Sequence, residues 1–211
     1  MKNKGDKKMA RYRGRREKTI PLRGAGFTLV ELLVTVSIMV AITSMILANY
    51  PKFSGSLALK RTAQEIALSI RQAQVYGLSV REFGAGSGIF PGYGVHFDIS
   101  SGSDVFVLFA DTNKNDSYDA GSGCGGSSTE CVQKFKISTG DKISKLCGGE
   151  QSSPPGDCSL SQLDIIYLRP TPTVKLNGDG TPFSDASIVV RSPSGEEKTI
   201  RVWLSGQIRV E

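Results

Sequence analysis

Residues 24–50 read GAGFTLVELLVTVSIMVAITSMILANY, and this stretch decides how the rest of the chain is read. After the small triplet Gly24-Ala25-Gly26 the run is almost wholly apolar, with one carboxylate, Glu31, near its start. As a helix, residues 27–50 extend about 36 Å at 1.5 Å per residue, enough to cross about 30 Å of hydrocarbon with some tilt. Upstream stand Lys2, Lys4, Lys7, Lys8, Arg11, Arg13, Arg15, Arg16, Lys18 and Arg23 against only Asp6 and Glu17. That excess of cations keeps the N-terminal side in the cytoplasm and sends residues after Tyr50 outside. A secretory signal carries its small-residue cleavage site after the apolar run, whereas here the triplet precedes it. A plain anchor has no use for Glu31, because a charge near the bilayer centre costs at least about 2.5–3.5 kcal/mol. Two fates remain for that charge. It pairs with a positive group on a neighbouring molecule, or it snorkels to the cytoplasmic face from its place one turn into the helix.

The hexapeptide Gly26-Phe-Thr-Leu-Val-Glu31 resembles the class III signal of type IV pilins and type II secretion pseudopilins. The resemblance implies that prepilin peptidase, a membrane aspartyl enzyme, cuts between Gly26 and Phe27 and methylates the new N-terminal Phe27. Residues 1–26 are then a basic leader removed on maturation, and Glu31 is the fifth residue of the mature chain. It further implies that Glu31 serves filament assembly, pairing with the α-amino group of an adjacent subunit. The partners that follow are the peptidase, other pilins or pseudopilins, an inner-membrane assembly platform, and lipid before extraction. The implied location is the inner membrane, single-pass, with the C-terminal domain exported to the periplasm or cell surface.

The net charge of +6 invites a nucleic-acid reading, but the leader holds 10 of the 26 basic residues and 2 of the 20 acidic ones. The remaining 16 basic and 18 acidic side chains give −2, so the high isoelectric point says nothing about partners of the mature chain. Past residue 50 there is enough chain for one domain with a modest core. Its cysteines, Cys124, Cys131, Cys147 and Cys158, lie in Gly/Ser-rich segments with no C-x-x-C pair, which argues against zinc. In an exported domain they are expected to form disulfides. Local closure favours Cys124–Cys131 and Cys147–Cys158 among the three connectivities.

The expected fold is α+β: a long N-terminal helix, half in lipid and half amphipathic, packed on an antiparallel sheet. In the segment 51–80, Leu59, Ala63, Ile66, Ala67, Ile70, Ala73 and Gly77 share one face, opposite Lys60, Arg61, Gln64, Arg71 and Gln74. Residues 81–211 form the β-rich domain. Strands are expected at 94–99 and 105–110, a polar loop at 111–130, a strand at 131–138, and a disulfide-bearing insertion over 139–162. Further strands are expected at 163–169, 187–191, 198–204 and 206–210, with Trp203 anchoring the core and His96 exposed on its strand. Residues 61–80 and the closing hairpin from Ser187 also resemble GspH/FimT-type minor pseudopilins.

Three further features carry alternative readings. Residues 111–119, DTNKNDSYD, place Asp111, Asn113, Asn115 and Asp119 as a calcium loop does. Yet Asp116 stands where an EF-hand has Gly and Ser122 where it has Glu, so a self-bonded Asx turn competes. Some relatives in DNA-uptake pili bind DNA through a C-terminal Gly-Arg-x-Arg loop, whose first arginine is missing from Gly206-Gln207-Ile208-Arg209; Lys198, Arg201 and Arg209 still offer a small phosphate patch, against a plain reading as solvated strand edges. No Ser/His/Asp set is expected around a single histidine placed in a strand, and no glycine-rich phosphate loop follows a strand and opens a helix, so the expected role is not enzymatic. The expected function is a structural subunit of a secretion pseudopilus or type IV pilus, with a DNA-binding minor pilin as the alternative.

Overall fold

The computed structural model describes residues 26–84, 86–121, 123–125, 129–149, 157–169 and 174–211. Residues 1–25, which make up nearly all of the expected leader, and the expected Pro-rich turn over 170–173 lie outside the described residues. A helix, α1, covers Leu29–Leu78, and the chain divides into two compact units between Met45 and Ile46.

In the first unit α1 starts at a cap encoded by Thr28-Leu-Val-Glu31. The Glu31 amide donates to Thr28 Oγ1 at 3.2 Å, satisfying one of the orphan N–H groups of the first turn, and the carboxylate at that position suits the helix dipole. From there the helix is apolar all round. None of its most apolar stretch is buried within the protein, and it is long and apolar enough to span a membrane. The hydroxyls along it are spent internally. Thr35 donates to Leu32 O, Ser37 to Leu33 O, Thr43 to Met39 O and Ser44 to Val40 O at 2.7–2.9 Å, so these four hydroxyls carry no bare donor into hydrocarbon.

In the second unit the predicted helical stripe is the buried one. Leu59, Ala63, Ile66, Ala67, Ile70 and Ala73 join a single apolar cluster with both sheets. Gly77 ends the stripe, where an added Cβ would lie 2.5 Å from Tyr167 O, so backbone meets backbone there. The strands are β1 Gly92–Asp98, β2 Val105–Asp111, β3 Cys131–Lys136, β4 Lys142–Gly148, β5 Asp157–Leu160 and β6 Gln162–Tyr167. They continue as β7 Val174–Gly178, β8 Thr181–Pro182, β9 Asp185–Arg191, β10 Glu197–Trp203 and β11 Ile208–Val210. One sheet runs β3-β2-β1-β6-β7-β8 and the other β11-β10-β9-β4-β5, antiparallel throughout. The class is therefore α+β, a long apolar helix with two antiparallel sheets.

Strands β4, β5, β7 and β8 were not anticipated. Residues 139–162 read as an insertion because a register shift between Ile143 and Lys145 breaks the period-2 alternation that marks a strand. Yet β4 is an interior strand, pairing with β9 on one side and β5 on the other. Trp203 is also misplaced by the sequence reading. Ile200 and Val202 fill the core, so Trp203 alternates to the opposite face and is half-buried.

Candidate functional site

Gly26 and Phe27 precede α1, and Phe27 is 81 % exposed. A small residue, an exposed aromatic and an ordered cap therefore follow one another, with Glu31 fixed in the first turn by that cap. Its cap position went unnoticed in the sequence, although Thr-x-x-Glu before an apolar run signals it.

Residues 111–121 and 123–125 fold back over the outer face of the first sheet. That face holds a satellite apolar cluster of Val107, Phe109, Ile166 and Cys131, capped by Tyr118, whose ring centroid lies 5.4 Å from that of Phe109. Gly94 makes room for it, since a Cβ there would sit 2.7 Å from the Phe109 ring. Three ties hold the loop. Cys124 is bonded to Cys131. Lys175 Nζ pairs with the Asp116 carboxylate, while Asn177 Nδ2 donates to Asp116 O at 3.1 Å. Glu130, nearly buried, accepts from Thr112 N at 2.9 Å and Asp119 N at 3.0 Å. The second disulfide joins Cys147 to Cys158.

The four residues read as calcium ligands are brought together. Asp111 accepts from Asn115 N at 3.1 Å and Asp116 N at 3.2 Å. Asn113 Nδ2 and Asn115 Nδ2 both donate to Asp119 Oδ2, at 2.6 and 2.9 Å. The arrangement satisfies itself as an Asx-rich turn: amide donors occupy the side of Asp119 that a cation would take. Lys114 and Asp116 adopt positive φ to form it. Burial pushes the Asp111 carboxyl above its ordinary pKa, opposed by backbone N–H groups of Asp116, Lys114 and Asn115. Among the described residues, no group of three or more His, Cys, Asp or Glu side chains forms a metal cluster.

His96 departs most from expectation. It is 8 % exposed, beneath Tyr118, and its Nδ1 lies 2.7 Å from Asp164 Oδ1 on the neighbouring strand. The two are register partners across β1 and β6. Asp164 at that spacing was the missed signal: a cross-strand carboxylate is what makes burial of an imidazole tolerable.

The three basic residues read as a phosphate patch do not converge. Arg201 and Arg209 are register partners on the outer face of the second sheet, and Arg209 Nε lies 3.4 Å from Glu211. Lys198 alternates with Arg201 on β10, sharing parity with Ile200 and Val202, so it points to the opposite side. Comparison with protein-family models, curated proteins and solved structures finds no match to this chain.

Proposed function

We propose that the chain is a minor pilin or pseudopilin, a single-pass inner-membrane subunit that enters a filament after its leader is removed. The observation that carries this reading is Glu31, a lone acid in the first turn of an apolar helix whose capped start directly follows exposed Gly26 and Phe27. Cleavage after Gly26 by prepilin peptidase creates an α-amino group on Phe27. In a filament the Glu31 carboxylate accepts that charge from a neighbouring subunit, while the apolar surface of α1 exchanges lipid for other helices. Partners are other pilins or pseudopilins and an inner-membrane platform. The helix's internally bonded hydroxyls support residence in lipid before extraction.

Intact mass spectrometry of native material tests the reading. A chain starting at a methylated Phe27 is expected, and a chain still starting at Met1 refutes it. Glu31→Ala is expected to be processed yet absent from sheared filaments. The alternative, a DNA-binding minor pilin, now rests on Arg201 and Arg209 alone, and predicts a mobility shift abolished by their replacement and by moderate salt.

A further inference from the structure

The outer face of the first sheet contains a group that filament assembly does not use. His96 is the chain's single histidine, held at Nδ1 by Asp164 and roofed by Tyr118. A buried His–Asp pair stabilises a fold no better than apolar side chains of the same volume, so packing alone does not account for it. Among the described residues Nε2, at the far edge of the ring, makes no hydrogen bond. His96 lines a cavity of about 390 Å³ whose walls include Val105, Phe106, Val107, Tyr118 and Lys134. Across β3, β2 and β1, Lys134, Val107 and His96 form one row, Val107 being the register partner of both. Their outer positions place the two nitrogen-bearing side chains about 10 Å apart at the Cα atoms, two strand spacings, over an apolar floor. Lys134 is exposed and makes no ion pair among the described residues.

We propose that this cavity binds a small organic carboxylate with an aromatic or aliphatic body. The carboxylate accepts from Lys134 Nζ and from His96 Nε2–H, whose proton is taken up from solvent as the anion binds, while Nδ1–H donates to Asp164. The carboxylate then sits above Val107, between the two nitrogens, and the body lies against Tyr118 and the apolar wall at Val105 and Phe106. Two nitrogen donors on either side of an apolar floor suit one charged end joined to one apolar end. A bare anion would leave the apolar wall unused, and a neutral ligand would leave Lys134 unanswered. The charged and titratable groups around His96 are Asp164 on β6, Tyr118 on the covering loop, Lys134 on β3 and Asp98 on β1 itself. Bonds from Ser100 and Ser101 outweigh partial burial and hold Asp98 at about 2, so Asp98 stays ionised in the test.

The sole histidine makes the test specific. Full-length protein in detergent, labelled with ¹⁵N-histidine, is titrated with benzoate, benzamide, acetate and phosphate while the imidazole resonances are followed. Benzoate is expected to move Nε2 toward its protonated position, saturably, while the neutral and bare-anion probes bind at least threefold more weakly. Lys134→Ala, an exposed substitution, is expected to weaken benzoate at least threefold with the imidazole resonances of the free protein unchanged. The proposal is overturned by an imidazole that benzoate does not move, by benzamide binding equally, or by acetate or phosphate binding as tightly as benzoate. Unchanged benzoate affinity in Lys134→Ala overturns it too. Neither arm depends on filament formation, so its failure leaves the pilin reading untouched.

Discussion

Asp141 ties α1 to the start of β4, and the strength of that tie can be measured. Its carboxylate is 1 % exposed and Oδ2 accepts from Thr62 Oγ1 at 2.7 Å and Thr139 Oγ1 at 2.6 Å, the two hydroxyls being 2.9 Å apart. Asp141→Ala removes two charge-assisted bonds, each worth about 1.5–3 kcal/mol. Thr139 is exposed and can turn to water, so mainly the buried Thr62 bond is lost. Thr62 also has a fallback in Ala58 O at 3.2 Å. The expected loss is therefore about 2 kcal/mol, not twice that. Thr62→Val takes a donor from a buried carboxylate and is expected to cost about 2 kcal/mol as well. Because both remove the same bond, the double variant should lose about 3 kcal/mol, a coupling near 1 kcal/mol. Equilibrium unfolding of the full chain in detergent, followed by Trp203 fluorescence, measures all three. Additivity within about 0.5 kcal/mol refutes the shared bond.

Other expectations follow from single features. Gly94→Val forces a side chain into the Phe109 ring and Ile165 O, both 2.7 Å from the Cβ position, and should destabilise by about 2–3 kcal/mol in the same assay. Asp98 lies at about 2 in the folded state, below its unfolded value, so its contribution is complete above about pH 4 and drains away as pH falls toward 2. Asp98→Ala should flatten that limb of the stability–pH curve by up to about 2 kcal/mol, less whatever solvent screening removes. Melting in EDTA should match melting in millimolar calcium, because the Asp111–Asp119 loop is already closed by its own amides; a rise of several degrees with calcium assigns it a cation instead.

The helix was legible because its burial pattern repeats with the period of the helix itself, so Leu59, Ala63, Ile66, Ile70 and Ala73 could be aligned without knowing their partners. The β1–β2 hairpin was legible for the same local reason. What escaped depends on distant chain. The bulge in β4 is meaningful only beside β9, and His96 is buried only because Asp164 stands opposite it on β6. Trp203 was expected to anchor the core, but strand alternation gives the interior to Ile200 and Val202. In the Asp/Asn loop the sequence disclosed which residues meet, and left open whether a cation or their own amides would join them.

The strand order sets a schedule for folding. Between β3 and β6 the chain leaves one sheet to lay β4 and β5 in the other, where β4 must wait for β9. Ile143 meets Val190, and Val95 meets Ile165, across long intervening segments. Both cross-links close short local loops instead, with sequence separations of 7 and 11, so neither brings those distant partners together. Closure entropy must be met before such pairings repay it, which makes the domain a slow, late-maturing unit. A nascent chain halted before residue 185 lacks three of the five strands of the second sheet and leaves its half of the core open, so β4 and β5 stay exposed until the end of the polypeptide arrives.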